Sequence, residues 1–161
     1  VKWRKKAGGG KQPYQGHFYP GYPEKYEGKI DTIMFRSGLE LRLFKYLDEA
    51  PGIIRWSSEE TVIKYRSPVD GKIHRYFVDA KITTKKDEIE TTYLIEVKPA
   101  SQCKPPSPPK KPNKKSQARF LRESRTYKVN LAKWNQAELV CEQKGWTFLK
   151  LTEKDLSFGR V

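Results

Sequence analysis

Thr92-Tyr93-Leu94-Ile95-Glu96-Val97-Lys98-Pro99 is the stretch on which the fold turns. β-Branched and aromatic residues run up to Pro99, which lacks a ladder donor, so the stretch predicts a strand that ends there. Side chains alternate along a strand, so Glu96 and Lys98 share one face while Ile95 and Val97 take the other. A carboxylate inside so apolar a run costs free energy unless it is paired or ligates a cation. Upstream, Lys85-Lys86-Asp87-Glu88 is a charged turn, and Ile73 to Ile82 before it predicts a second strand. On an unbroken strand Asp79 shares its face with Phe77 and Lys81, while Val78, Ala80 and Ile82 face the other way. Pairing of the two strands across the turn brings Asp79 toward Glu96.

Further out, Thr61-Val62-Ile63-Lys64-Tyr65 predicts a strand, and Ser67-Pro68-Val69-Asp70-Gly71 supplies the turn into the next one. Three such strands form an antiparallel meander. Ile53–Trp56 is a short strand ahead of them. Ser37-Gly38-Leu39-Glu40 fits a capping box that opens a helix, with Leu39, Leu43, Phe44 and Leu47 at helical spacing and Pro51-Gly52 to stop it. On the other side, residues 99–115 hold six prolines and five lysines and predict an extended basic loop. Helices follow over 116–125 and 130–144, Gly145 caps the second, and Trp146–Leu151 is a last strand that joins the sheet. The order αβββαβ predicts a mixed sheet with flanking helices, in the α/β or α+β class. Residues 1–29 read as an irregular arm, and residues 30–161 as one domain.

The net charge of +14 is unevenly placed. Residues 1–29 carry seven Lys/Arg against Glu24 and Glu27, and residues 99–128 carry nine against Glu123, while residues 30–98 balance at twelve against twelve. Two basic segments on a neutral body imply a polyanionic partner, with nucleic acid the economical one. No apolar run spans a bilayer, and no apolar stretch follows the basic N-terminal residues, so neither a membrane span nor a signal peptide is expected. Cys103 and Cys141 lack zinc-site spacing.

Two carboxylates forced together repel, which raises the pKa of one or demands a cation. Mg²⁺ answers that demand, since it takes hard oxygen ligands and keeps waters able to attack a phosphodiester; Mn²⁺ substitutes. Lys98 is placed to stabilise developing charge or orient the attacking water. The Glu-x-Lys spacing alone is weak, because Glu142-Gln143-Lys144 repeats it at a helix end. Glu40 has two readings, as the capping-box carboxylate bonding back toward Ser37 or as an extra ligand to the metal or its water. His74 lies just past a turn, off the Asp79 face. Lys133 and Trp134 read as a solvent-facing and a core residue of one helix.

Glu40 on a helix, then Asp79, then Glu96-Val97-Lys98 on strands resembles the restriction-endonuclease-like fold with its PD-(D/E)xK site. Val78 stands where that motif's proline would be, and Ala80 and Lys81 stand where larger apolar residues are usual. Arg36–Glu40, Trp56–Glu60, Tyr65–Lys72, His74–Phe77, Glu96–Pro99, Asn130 with Lys133-Trp134, and Gly145-Trp146 are similar to the head-completion nucleases of large contractile-tailed phages. The chain is more distantly similar to TnsA-type transposon endonucleases. The resemblance implies a metal-dependent DNA endonuclease, with exonuclease action beside it, working in the host cytoplasm or the virion where filled heads join tails. It implies catalytic roles for Glu40, Asp79, Glu96 and Lys98, a metal held by Asp79, Glu96, the Val97 carbonyl and Glu40, and phage head or neck proteins as partners. Two other readings stay open: a structural head or neck protein with a vestigial site, and a non-catalytic DNA-binding module.

Overall fold

The computed structural model describes residues 14–156. The chain opens with β1 (Gly16–His17), antiparallel to β2 (Met34–Phe35), then α1 (Gly38–Glu49), β3 (Ile53–Ser57), β4 (Val62–Arg66), β5 (Ile73–Phe77), β6 (Ala80–Lys86) and β7 (Ile89–Val97). A 31-residue helix, α2 (Lys114–Lys144), then leads into β8 (Thr147–Leu151). The main sheet has the order β3-β6-β7-β8, with β8 parallel to β7 and the other neighbours antiparallel. This is the mixed sheet with flanking helices that the residue pattern predicts.

The sheet carries a different core on each face. Ala80, Ile82, Ile95 and Val97 pack with α1 through Leu39, Leu43, Phe44 and Leu47, and around the fully buried Trp56. Leu94 packs on the other face with Ala137 and Cys141 of α2 and with Ile63, Tyr65 and Tyr76. The β6–β7 connection is a two-residue hairpin, because Lys86 opposes Ile89 and both Asp87 and Glu88 have positive φ. That twist matches the strands it joins and fixes their register.

The structure departs from the sequence expectation at four places. The expected strand from Ile73 to Ile82 is broken at Val78-Asp79. Val78 donates to Thr61 O (3.0 Å) and accepts from Glu59 N (3.2 Å), and its side chain sits in the α2-side core, whereas Ala80 and Ile82 sit in the α1-side core. The three-strand meander therefore gives way to a separate β4–β5 ribbon, and β3 takes the place beside β6. The two helices expected over 116–125 and 130–144 are one. Asn113 and Ser116 form a reciprocal cap at its start, and Gly145 closes it in the left-handed region (φ 66°). Finally, residues 14–29 contribute to the core: Phe18 and Tyr26 are buried against Trp56, Tyr26 with its ring 4.8 Å away. Residues 1–13 of the expected arm lie outside the described residues.

Asp48 holds that N-terminal segment. It is buried on α1, and its carboxylate accepts from Gly21 N (2.7 Å) and Tyr22 N (3.2 Å). Lys25 Nζ donates to the carbonyls of Asp48 and Ala50, satisfying the end of α1. Replacing Asp48 by Ala leaves two amides without their acceptor. Urea unfolding is expected to show a loss of about 1–3 kcal/mol, with faster proteolysis before residue 26; an unchanged midpoint would contradict this anchoring role.

Candidate active site

The register of β6 and β7 builds the site. Ala80 opposes Ile95, and continuing that ladder by one step sets Asp79 opposite Glu96. Glu96 points to the α2 side, next in line to Leu94, and its side chain is only 4% exposed. Both its oxygens are engaged. Oε2 accepts from the Tyr76 hydroxyl at 2.7 Å, and Oε1 pairs with Lys98 Nζ at 2.9 Å. Lys98 N in turn donates to Leu151 O, which keeps residue 98 extended and on the same face as Glu96.

Asp79 lies at the break between β5 and β6, and its Oδ2 accepts from Val97 N at 2.8 Å. Burial pushes its carboxyl well above the ordinary range, the Glu96 charge pushes it further, and the Val97 amide and the Lys98 ammonium only partly offset this. Burial draws the Lys98 ammonium down, but Glu96, Asp79 and Glu40 outweigh it and hold it above its usual value. Lys98 is thus a cation near neutrality. Burial likewise pushes the Tyr76 hydroxyl up, with the Glu96 charge adding to it. Tyr76 therefore stays a donor.

Glu40 sits at the start of α1 and acts on this group through its charge. Its oxygens are used locally: Oε2 accepts from Arg36 N (2.8 Å), one residue before the expected Ser37 amide, and Oε1 lies 3.3 Å from Ser37 Oγ. Ser37 Oγ accepts from Glu40 N in return. The Arg36 guanidinium pairs with Glu59, which holds a positive φ of 56°. Among the described residues no three Asp, Glu, His or Cys side chains gather as one metal-ligand cluster. His74 is not part of the group; its ring bonds Asp70 at 2.7 Å on the exposed hairpin.

Two participants are not evident from the sequence. Tyr76 is one. The other is Lys133, half-buried on α2, with Nζ 5.5 Å from the Tyr76 ring centre and 5.7 Å from that of Tyr65. Burial, the largest effect, holds its ammonium below the usual lysine value although the Glu96 and Asp79 charges raise it, so Lys133 is within electrostatic reach of the same group. It makes no ion pair among the described residues. Lys133-Trp134 on a helix reads as surface then core, and only the fold of the ribbon over α2 turns Lys133 inward. Trp134 is buried as expected, with Lys150 Nζ 4.4 Å over its ring.

The donor set suits a hard divalent cation. Two carboxylates stand across a strand pair, one destabilised as an anion, and none of the hydrogen bonds of the described residues uses Asp79 Oδ1. Mg²⁺ commonly accepts one or two carboxylates and fills its remaining positions with water, so two protein carboxylates suffice.

The raised pKa of Asp79 has a sign. Its folded form holds the proton more tightly than the unfolded chain, so stability is undiminished below the ordinary carboxylate range and falls as pH rises through the raised value. In metal-free buffer at pH 8, Asp79→Asn is expected to be more stable than the parent by about 1–2 kcal/mol, and equal to it near pH 3. Thermal melts with EDTA measure the difference, and a less stable variant at pH 8 would refute the assignment.

The TnsA-like endonuclease N-terminal family matches residues 50–153, which span β3 through β8 and include Asp79, Glu96 and Lys98. The head completion nuclease of Enterobacteria phage T4 is 37% identical over 143 residues, covering 89% of this chain and 93% of that protein. With the matched region holding the whole main sheet and the paired carboxylates, the chain belongs to the TnsA-like endonuclease family.

Proposed function

We propose that this protein is a Mg²⁺-dependent DNA endonuclease that cleaves phosphodiester bonds during completion of phage heads, before they join tails. The observation that carries the reading is the buried Asp79 carboxylate, bonded to Val97 N and within reach of the Glu96 charge, with the Lys98 ammonium 2.9 Å from Glu96. The head completion role rests on the similarity to the T4 protein. Exonuclease action at DNA ends, contact with head or neck proteins and a site of action in the host cytoplasm belong to the same proposal.

Asp79 and Glu96 would hold the metal, together with the Val97 carbonyl, and Glu40, bonded to Arg36 N and Ser37 Oγ, would contribute directly or through water. When bound, the cation neutralises the scissile phosphate and supplies activated water. The chain's residues do the rest. Tyr76 fixes the Glu96 carboxylate from behind, so its orientation does not depend on the ligand. Lys98 is charged and donates rather than accepts a proton, so its part is to orient the nucleophilic water and stabilise charge on the phosphorane oxygens. Lys133 supplies a second cation from α2, facing the group without a carboxylate of its own. The exposed N-terminal half of α2 presents Lys114, Lys115, Arg119, Arg122, Arg125 and Lys128 to flanking phosphates. Binding should therefore weaken steeply with salt and discriminate little between sequences.

The decisive measurement is plasmid cleavage under a Mg²⁺ titration, with DNA binding followed in parallel. Glu96→Gln and Asp79→Ala are expected to cut at least about 100-fold more slowly while still binding DNA. Parent-like cleavage by either variant would overturn the site, and binding without any cleavage by the parent would favour a DNA-binding role alone. Lys133→Gln is expected to lower kcat by about 10-fold or more, with partial rescue in Lys133→Arg and unchanged metal dependence. A change confined to thermal stability would instead make Lys133 structural.

A further inference from the structure

The β4–β5 ribbon stands apart from the main sheet and has two unlike faces. Ile63, Tyr65 and Tyr76 point inward and pack in the α2-side core. Val62, Lys64, Arg66, Ile73, Arg75 and Phe77 are exposed, as the burial pattern along both strands records. The register places Val62 opposite Phe77, Lys64 opposite Arg75, and Arg66 opposite Ile73.

Two features of this outer face are unfavourable for folding alone. Lys64 and Arg75 are like charges directly across a strand pair, an arrangement that destabilises a sheet. Among the described residues neither has a carboxylate partner, and nor does Arg66, whose guanidinium donates to Gly71 O at 2.6 Å. Arg75 instead lies over the Phe77 ring, 5.6 Å from its centre. The second feature is apolar exposure: Val62, Ile73 and Phe77 remain 45%, 55% and 44% exposed on the same face. The carboxylate at the hairpin tip is spent locally, since Asp70 accepts from Lys72 N and bonds His74.

A polyanion whose groove also offers apolar contacts relieves both costs at once. The major groove of duplex DNA admits a two-stranded ribbon, offers phosphates along both rims, and presents thymine methyl groups on its floor. We propose that the outer face of the β4–β5 ribbon is a docking surface for duplex DNA, with Lys64, Arg66 and Arg75 on backbone phosphates and Ile73 and Phe77 toward the groove. The proposal rests on the nuclease reading. It adds which element orients the duplex, and the location fits: Phe77 is two residues from Asp79, and Tyr76 on the inner face holds Glu96. The ribbon thus couples a DNA-facing surface to the carboxylates through a single strand.

The test is binding of a 30-bp duplex, and of the matching single strand, to Glu96→Gln protein across a salt series, so that no cleavage is needed. In that background Lys64→Ala/Arg75→Ala is expected to weaken duplex binding at least ten-fold and to flatten the log Kd against log salt plot by nearly two, about 0.9 per lost phosphate contact. The control Lys85→Ala/Lys86→Ala removes the same charge at the far end of β6 and is expected to change neither by more than two-fold. Because the ribbon substitutions remove a repulsive pair, the variant should melt at or above the parent temperature, which separates lost docking from lost fold. Equal weakening in both double variants would reduce the effect to net charge and overturn the proposal. So would a loss confined to single-stranded DNA, or unchanged duplex binding. Failure of the nuclease reading shows separately, as absence of cleavage by the unsubstituted chain in Mg²⁺.

Discussion

Glu96 is an almost fully buried carboxylate on the second-last strand of the sheet, and the architecture around it follows from what such a group requires. A buried anion needs its lone pairs occupied and its charge balanced, or it takes up a proton. Tyr76 and Lys98 meet these needs from two directions, one from the ribbon and one from the same strand. Tyr76 can reach only because the chain breaks at Val78-Asp79 and β5 folds away from the sheet over α2. The same break leaves Asp79 at the mouth of β6, tied to the Val97 amide and facing Glu96. The strand break, the ribbon and the carboxylate pair are therefore one feature.

That dependence explains what the residues reveal in sequence and what they conceal. The β7 strand, the capped helix α1 and the last strand are local matters of alternation, capping and punctuation, and they are legible. The proximity of Asp79 to Glu96 follows from two strands joined by a tight turn, so it is legible as well. The break at Val78 is not, since Ile73 to Ile82 alternates acceptably as one strand. Its cause is non-local: Val78 exchanges backbone hydrogen bonds with Thr61 and Glu59 and fills the core on α2. An unbroken strand would send Tyr76 and Val78 to the wrong surfaces.

The long helix shows the same limit. Thr126-Tyr127-Lys128-Val129 contains poor helix formers, so propensity alone divides 114–144 into two. Packing overrides it: within the weak stretch Val129 packs against the α2-side core and the Tyr127 ring lies against Trp134, next to the buried stripe of Asn130, Trp134, Ala137 and Cys141. Lys133 becomes a member of the site only once that stripe is docked and two tyrosine rings from the ribbon close over it. The N-terminal segment is similar: its prolines and glycines suggest an arm, but Asp48 collects its amides and Trp56 its aromatics. Compositional readings fail where a distant side chain supplies the order.

The distribution of charge sets a final constraint. The basic segments attract a polyanion, yet the group at the strand ends is carboxylate-rich and repels phosphate. Lys98 does not remove that repulsion, because it is committed to Glu96, and Lys133 offsets it only in part. On the proposed function, Asp79 and Glu96 would hold a divalent cation whose charge would offset that repulsion, and a phosphate bound beside it would in turn favour the cation. Binding free energies are reciprocal, so each ligand tightens the other by the same factor. Peripheral basic residues would then hold DNA without the metal, while the scissile phosphate would be drawn into place only with it. On the proposed function, affinity for DNA and competence to cut it would then fall to different parts of the chain, the first to charge spread over the ribbon and α2, the second to the carboxylates of Asp79 and Glu96.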